Sequence, residues 1–333
     1  MMREITKKEE WNSILDQIKD YDFYHTYDYH NISTDTNETP VLLTYLQDKS
    51  IIALPLVLRP IEDTTYFDLT SVYGYAGPVC NIDVETFDFS EFKTTFNEYL
   101  QSNNIISVFS RLHPYIDQDE ILEGLGDTIG LGNVVNIDIT LPADQSRMVY
   151  RKSNKNQINK LRRQCEVVKA VTKEEILEFV DIYYENMKRL NAKAHYFYSK
   201  EYFLHFMKTP NFNTVILLVK HLESNSFIAG SMFVKTKNIV QFHLSGTRTE
   251  HLSLKPSKLF IDEMRLQATE EGYQIFNLGG GLGSEHDSLF EFKASFSKDF
   301  KPFKVWKYIV NQNVYDELCK AKNETKYFPK YRS

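Results

Sequence analysis

The residues best suited to chemistry lie in one stretch near the end of the chain, residues 274–293. A short apolar run there stops at three consecutive glycines: Gly279, Gly280 and Gly281. Glycine at the end of a strand allows positive φ and lets another group approach the backbone closely. The pattern predicts a ligand site at the carboxyl end of a strand. Taken alone, the three glycines favour a tight turn with no ligand and a ligand site about equally.

An aromatic–lysine pair, Phe292-Lys293, follows the glycines. An ammonium group at such a place can stabilise negative charge that develops on a carbonyl oxygen. Burial can also lower the pKa of a lysine until it serves as a base. A lone aromatic–lysine pair is usually part of a solvated edge, but its position after a glycine-rich strand end favours a catalytic role. No complete dinucleotide fingerprint or P-loop accompanies these glycines.

The segment 147–163 carries seven basic residues and no acidic one, in a chain of formal net charge −6. This local excess of positive charge predicts a surface that binds the phosphates of a nucleotide, a lipid-linked precursor or tRNA. The alternative is the solvated face of a helix, since Ile158 and Leu161 are spaced as one apolar stripe. The candidate anion contacts are Arg151, Lys155 and Arg162.

The histidines show no metal-ligand spacing, so no metal site is predicted. His243 lies near the end of an apolar strand, where it can be a substrate contact or a general base. A hydrogen-bonded histidine without a catalytic role is the alternative. Because no serine sits in a nucleophile elbow and no cysteine has a histidine nearby in sequence, the sequence does not support covalent hydrolysis.

The composition predicts a cytoplasmic protein. No apolar run approaches the roughly 20 residues of a membrane-spanning helix, and the first residues lack the apolar region of a signal peptide. Three cysteines, Cys80, Cys165 and Cys319, show no disulfide or metal spacing. The net negative charge predicts that DNA is not a partner.

Periodicity predicts the elements that must position these residues. Helices are expected at 7–18, 88–101, 173–190 and 257–271, and strands at 40–47, 50–58, 105–109, 134–139, 213–220, 227–234, 239–244, 275–278 and 304–310. Asp48-Lys49 predicts a hairpin turn between the first two strands, and Pro256 and Gly272 predict the two ends of the helix at 257–271. The order of helix, antiparallel meander, helix and strands occurs twice. The fold class is therefore α/β (α+β), with one domain over residues 1–145 and a second over residues 146–333.

Several motifs, taken in order, resemble the FemAB-like proteins of the GNAT acyltransferase superfamily. They are His243-Leu244-Ser245-Gly246-Thr247, the helix after Pro256-Ser257, Asn277-Leu278-Gly279-Gly280-Gly281, and Phe292-Lys293-x-x-Phe296. The basic segment, Tyr196–Phe203 and the N-terminal His25-Thr26-Tyr27-Asp28-Tyr29-His30 also fit.

The resemblance implies two tandem GNAT-like domains around a central cleft, each a mixed, mostly antiparallel sheet flanked by helices. The best-known members transfer an amino acid from aminoacyl-tRNA to an amine of a peptidoglycan precursor. A Phe-Lys pair lies at their acyl-transfer centre, and Phe292-Lys293 matches it by position. Two features depart from the pattern: residues 31–38 contain no lysine or arginine, and residues 250–257 replace the usual acetyl-CoA loop.

The leading hypothesis is direct acyl transfer to an amine of a cell-wall or polysaccharide precursor. The donor is aminoacyl-tRNA or acyl-CoA, used as a co-substrate with no tightly bound cofactor. The expected partners are the precursor and, with the first donor, tRNA; a lipid-linked precursor would add peripheral contact with a membrane. Lys293 stabilises charge and Phe292 shapes the pocket, and the substrate contacts are His243, Ser245, Gly279, Gly280, Gly281, Tyr196, Arg151, Lys155 and Arg162. The alternatives are a CoA-dependent N-acetyltransferase acting on an amino sugar or small amine, and a non-catalytic precursor-binding protein.

Overall fold

The computed structural model describes residues 2–333, whose contacts divide into two compact units. The first unit is Met1–Gly132 with Pro302–Ser333, and the second is Asn133–Lys301. The sequence analysis predicts a single boundary after residue 145, with residues 302–333 in the second domain. In the structure, residues 302–333 belong to the first unit, because residues 305–309 pair with the strand Ile105–Arg111 of that unit.

Thirteen strands and eleven helices make up the described chain. The strands are β1 (Met2–Ile5), β2 (Thr39–Gln47), β3 (Ser50–Pro60), β4 (Phe67–Thr70), β5 (Val79–Cys80), β6 (Ile105–Arg111), β7 (Asp127–Asp138), β8 (Cys165–Lys169), β9 (Asn213–His221), β10 (Ser226–Thr236), β11 (Ile239–Thr247), β12 (Ile275–Gly279) and β13 (Asp299–Ile309). The helices are α1 (Lys8–Leu15), α2 (Tyr27–Ser33), α3 (Ser90–Ser102), α4 (Asp119–Leu122), α5 (Ala143–Met148), α6 (Lys152–Gln164), α7 (Lys173–Arg189), α8 (Lys200–Lys208), α9 (Ser257–Glu270), α10 (Ser288–Lys293) and α11 (Gln312–Cys319).

The sheet of the first unit has the order β1-β2-β3-β4-β6-β13, with β5 paired beside β3. Only the β4–β6 pair is parallel. Strand β3 is buried on both faces, so Leu54 packs with the α3 cluster while Ala53 packs with the α1 cluster. The predicted hairpin turn between β2 and β3 is confirmed, because Asp48 adopts the left-handed φ of 53°.

The sheet of the second unit has the order β7-β12-β11-β10-β9-β8. Only β11 and β12 run parallel. Helix α9 covers one face, where Phe260 packs with Leu217 and Phe233. Helix α7 covers the other face, where Phe179 lies against the backbone of Gly230. This mixed, mostly antiparallel arrangement flanked by helices confirms the predicted α+β fold class.

The local signals at the ends of α9 are confirmed. Pro256 immediately precedes the helix, and Gly272 follows it with a left-handed φ of 83°. The segment that holds Phe292-Lys293 was expected as a loop and is a helix, α10. Its six residues are too few to show helical periodicity, and the carboxylate of Asp287 starts the helix by accepting the Phe290 N–H at 2.8 Å.

His30, buried in the first unit, should make the protein less stable in acid. Its Nδ1 lies 3.0 Å from the Thr26 carbonyl oxygen, its ring packs 5.1 Å from Trp11, and burial lowers its pKa to about 4. Between pH 6.5 and 4 the unfolded chain therefore binds the extra proton, and stability falls as pH falls. The expected loss is about 3 kcal/mol.

Urea unfolding at pH 7 and at pH 4.5 measures this loss. His30→Asn should reduce the difference in unfolding free energy between the two pH values. His286→Asn is the matched control, because that side chain is 69% exposed. Equal pH dependence in the wild type and His30→Asn would contradict the assignment.

Candidate active site

The two parallel strands of the second unit separate towards their carboxyl ends. Strand β12 pairs with β11 only where 275–277 lie beside 239–241, whereas β11 continues to Thr247. The Asn277 side chain donates to Gln241 Oε1 at 2.8 Å and accepts the Gly279 N–H at 2.9 Å. These bonds join the strands at their last paired position and turn the backbone of β12 away. A wedge between parallel strand ends is a usual place for a ligand.

Lys293 occupies this wedge. Its Nζ donates to the carbonyl oxygen of Gly280 at 2.7 Å and lies 5.9 Å from the centre of the Phe242 ring, one residue beyond the paired part of β11. The residue is 8% exposed, and no carboxylate among residues 2–333 lies within ion-pair distance of its Nζ. Burial lowers its pKa to about 8, against the opposing charge of Asp287. The ammonium form therefore predominates at neutral pH.

The three glycines shape the loop that holds Lys293. Gly279 has a left-handed φ of 74°, and Gly280 supplies the carbonyl oxygen that accepts from Lys293. At Gly281, a Cβ would lie 2.0 Å from the Glu285 carbonyl oxygen and 2.4 Å from the Asp287 carboxylate. The space beside Gly281 is thus filled by the loop itself. A role for the glycines in admitting substrate stays a prediction.

A cavity of about 430 Å³ lies at the start of α9, and we call it the α9 cavity. Four segments form its wall: the start of α6, the end of β11 with the loop after it, the start of α9, and α10 with the residues after it. The lining residues are Arg151, Ser153, Asn154, Thr247, Leu252, Lys255, Pro256, Ser257, Lys258, Glu291, Phe292 and Ser295. Phe292 therefore faces the cavity, while its neighbour Lys293 turns into the wedge.

The charges around the α9 cavity favour an anion. Lys258 is 9% exposed, and no carboxylate among the described residues lies within 4 Å of its Nζ. Burial, followed by the charge of Lys255, lowers its pKa. The backbone at the start of α9 adds partial positive charge. Arg151 also lines the cavity, where it pairs with Glu291 at 2.5 Å.

The predicted basic helix is confirmed as α6, with Ile158 and Leu161 buried. Its three candidate anion contacts do not form one surface. Arg162 is paired with Asp262 at 3.1 Å and with Glu263 at 3.3 Å, and Lys155 Nζ donates to the Met148 carbonyl oxygen. Among these three candidates, only Arg151 lines the cavity.

His243 lies on the opposite face of the sheet from Lys293. It is the extra residue of a β-bulge, since Met232 pairs with Leu244 and Phe233 with Phe242. Its ring stacks on Phe206 of α8 at 5.3 Å, and its Nε2 lies 3.3 Å from the Tyr202 hydroxyl oxygen. Burial lowers its pKa to about 3, so the imidazole is neutral and weakly basic at pH 7.

The other two predicted substrate contacts, Tyr196 and Ser245, lie on different sides of the sheet of the second unit. Tyr196 lies in the connection between α7 and α8, where its carbonyl oxygen accepts the Tyr183 hydroxyl. Ser245 alternates along β11 with Thr247, so it shares the face that carries the α9 cavity. The structure thus gathers Lys293, Phe292, the glycines and Arg151 on one side. His243 and Tyr196 lie on the α7–α8 side.

Two residues of this site were missed from the sequence. Asp287 accepts the N–H groups of Leu282 and Phe290, which joins the glycine loop to α10. Lys258 lies in the first turn of α9, where acidic residues are the favoured ones. A lysine directly after Pro256-Ser257 is unusual at the start of a helix. It was therefore the feature of the sequence that could have indicated an anion site.

Residues 149–293 match the family described as acetyltransferase (GNAT) domain, and this range contains the wedge and the α9 cavity. No match was found among curated protein sequences. Among solved structures, FemX superposes with a TM-score of 0.72 at 12% identity, over 95% of this chain and 99% of FemX. L-PGS from Bacillus licheniformis gives 0.59 at 13% identity, over 92% and 93%. A tandem GNAT protein from the clavulanic acid biosynthesis pathway gives 0.51 at 8% identity, over 93% and 99%.

The domain match covers the residues that form the site, and it supports acyl transfer as the class of activity. The predicted resemblance to FemAB-like GNAT proteins is confirmed for the fold, because the structure superposes on FemX along nearly the whole chain. Identities of 8–13% establish a shared fold, and the donor and acceptor do not follow from it. Among residues 2–333, no helix has both the length and the apolar character needed to cross a membrane.

Proposed function

We propose that this acyltransferase moves an activated acyl or aminoacyl group onto an amine of a cell-wall or polysaccharide precursor. The observation that carries the proposal is the buried Lys293 ammonium, held in the strand wedge by the Gly280 carbonyl oxygen at 2.7 Å. It lies next in sequence to Phe292, which lines a cavity with the charge for an anion.

In the reaction, the acceptor amine attacks the carbonyl carbon of the donor ester or thioester. A carbon–nitrogen bond forms, and the carbonyl oxygen becomes a tetrahedral oxyanion. Lys293 uses one N–H for Gly280 and has others to donate to this oxyanion or to the leaving oxygen. The intermediate collapses as the carbon–oxygen or carbon–sulfur bond breaks, and the proton lost by the amine goes to the leaving group.

We assign the α9 cavity to the donor. Aminoacyl-tRNA and acyl-CoA both carry phosphates, and Lys258 and the start of α9 offer positive charge to a phosphate group. Arg151 lines the same cavity but is paired with Glu291. Aminoacyl-tRNA is the first candidate, because the Phe292-Lys293 pair and the FemX-like fold resemble the aminoacyl-transferring enzymes. Acyl-CoA is the second candidate, favoured by the acetyltransferase (GNAT) match over residues 149–293.

We assign the acceptor to the cell-wall class on the likeness to FemX and to the peptidoglycan enzymes that the Phe-Lys pair resembles. A precursor linked to a lipid would require peripheral contact with a membrane. The role of Ser245 as a substrate contact belongs to this proposal, because its strand face is that of the α9 cavity.

Lys258→Met is expected to weaken donor binding by about 10- to 100-fold, because a hydrogen bond to a charged partner contributes about 1.5–3 kcal/mol. Methionine keeps most of the buried volume. Titration with acetyl-CoA and a transfer assay with aminoacyl-tRNA measure the effect and identify the donor. Lys188→Met, an exposed lysine on α7, is the matched control.

Wild-type affinity of Lys258→Met for the donor would contradict the placement of its phosphates. Failure of the wild-type protein to bind acetyl-CoA and to use aminoacyl-tRNA would overturn the proposed function itself. The two failures are distinct, because the second concerns the protein without any substitution.

A further inference from the structure

The connection between α5 and α6, residues 148–151, exposes two adjacent apolar side chains that the proposed reaction does not use. Met148 is 70% exposed and Val149 is 52% exposed. Both are held in place. Tyr150, the next residue, is buried with its ring centre 5.1 Å from that of Phe296, and Lys155 Nζ donates to the Met148 carbonyl oxygen at 3.2 Å. A fixed turn that keeps neighbouring apolar groups in water offers a partner a surface to cover.

Positive charge lies beside these two side chains. Arg147 precedes them, and its guanidinium donates to the Asn159 side chain of α6 at 2.7 Å. Lys152, Lys160 and Arg163 are exposed on α6 and lie on one face of the helix, opposite its buried stripe. This face extends about 16 Å along the helix. It is therefore longer than a contact with a single phosphate requires.

Few acidic groups oppose this charge. Glu291 pairs with Arg151 and Asp262 pairs with Arg162, so the charges of those two arginines are balanced. Asp144 is the acidic residue of the segment 141–163. The four basic residues of the previous paragraph form no ion pair with a carboxylate among residues 2–333. Their charge is thus left to attract an anionic surface.

The composition of the segment distinguishes between two anionic partners, RNA and a membrane. Proteins that bind RNA combine basic side chains with aromatic rings that stack on bases. The single aromatic residue of the segment 141–163 is Tyr150, which is 3% exposed and does not offer its ring to a base. Exposed aliphatic side chains beside lysine and arginine are instead suited to a bilayer with anionic headgroups.

We infer that the end of α5 and the exposed basic face of α6 form a docking surface for an anionic phospholipid bilayer. Met148 and Val149 enter the boundary between headgroups and acyl chains, and the basic face of α6 lies against the headgroups. The surface adjoins the α9 cavity, because Arg151 at the start of α6 lines that cavity. Binding to a bilayer needs neither a donor nor an acceptor, so the inference does not depend on the proposed acyl transfer.

Sedimentation of the full-length protein with phospholipid vesicles tests the inference. Vesicles that mix phosphatidylglycerol with phosphatidylcholine should bind at least about tenfold more tightly than phosphatidylcholine alone, and added salt should weaken the binding. Lys152→Gln combined with Lys160→Gln should weaken it by about tenfold. Lys188→Gln is the matched control, because that lysine is exposed on α7 and lies outside the docking surface.

The apolar part of the docking surface is tested separately. Met148→Ser combined with Val149→Ser should weaken vesicle binding by about tenfold or more, because the two side chains no longer transfer apolar area out of water. Both side chains are exposed, so the fold should be kept, and circular dichroism checks this. Val171→Ser is the matched control, because Val171 is 75% exposed but lies outside the docking surface.

A tryptophan at position 148 reports entry into the bilayer directly. The two tryptophans of the chain, Trp11 and Trp306, are buried and should keep a constant emission. The emission of Met148→Trp should move to shorter wavelength when anionic vesicles are added, because the indole leaves water. Val171→Trp should show no such change.

Two results with vesicles would overturn the inference: no binding of the wild-type protein to anionic vesicles at low salt, or wild-type binding by Met148→Ser with Val149→Ser. A third concerns RNA. If the protein binds tRNA in fluorescence anisotropy, loses that binding with Lys152→Gln and Lys160→Gln, and does not bind vesicles, the surface belongs to RNA. The vesicles contain no donor and no precursor, so these outcomes are distinct from a failure of the proposed function.

Discussion

Lys293→Met should lower the kcat of acyl transfer by about 10²- to 10³-fold, the usual effect of removing one preorganised donor to an oxyanion. The buried ammonium has few other contacts to lose: its hydrogen bond goes to Gly280, and its Nζ lies 5.9 Å from the centre of the Phe242 ring. Methionine fits that surrounding and needs no hydrogen bond. The fold should therefore be kept, and KM should change much less than kcat.

The same substitution should not destabilise the protein. The pKa of Lys293 is about 8 in the folded state against an ordinary 10.5, so burial of its charged form costs about 3 kcal/mol at neutral pH. The unfolded chain binds the extra proton between pH 8 and 10.5, so this cost disappears as pH rises. Methionine removes the cost, and thermal unfolding should show a Tm at or above that of the wild type.

The pH dependence of the reaction separates two roles for Lys293. As a stabiliser of the oxyanion it must be protonated, and kcat should fall as pH rises through about 8. As a general base it must be neutral, and kcat should rise over the same range. Lys298→Met, five residues further along and lying over Phe300, should leave both kcat and the pH profile unchanged. Unchanged turnover in Lys293→Met would remove Lys293 from the mechanism.

The sequence predicted the elements whose signals are local. The turn at Asp48 and the ends of α9 at Pro256 and Gly272 depend on neighbouring residues, so each was identified. Helix α6 was identified from the spacing of Ile158 and Leu161. The Phe-Lys pair and the glycines, found near one another in sequence, are also in contact in space.

What the sequence missed depends on residues far apart or on one inserted residue. Arg162 is neutralised by Asp262, one hundred positions away, which no local pattern shows. The bulge at His243 turns its ring towards α8. A strand without a bulge, as the sequence analysis assumed, gave no reason to place His243 and Lys293 on opposite faces of the sheet. Helix α10 depends on the single cap of Asp287 and was too short to be periodic.

Gly281→Ala should give the second large effect, a fall in kcat of about 10²-fold with a loss of stability of about 1–3 kcal/mol. The φ of Gly281 is an ordinary −77°, so the reason is space and not backbone strain. The new methyl group would lie 2.0 Å from the Glu285 carbonyl oxygen and 2.4 Å from Asp287. The loop must move, and because Asp287 starts α10, Lys293 at the end of that helix moves with it.

Gly283→Asn is the matched control on the same loop. Gly283 has a left-handed φ of 60° and open space where a Cβ would lie, and asparagine tolerates that conformation. It should keep near-wild-type kcat. The pair of variants also separates two roles for Gly281: loss of Lys293 positioning lowers kcat, whereas loss of room for substrate raises KM at constant kcat. A Gly281→Ala enzyme with wild-type kcat would show that the loop does not position Lys293.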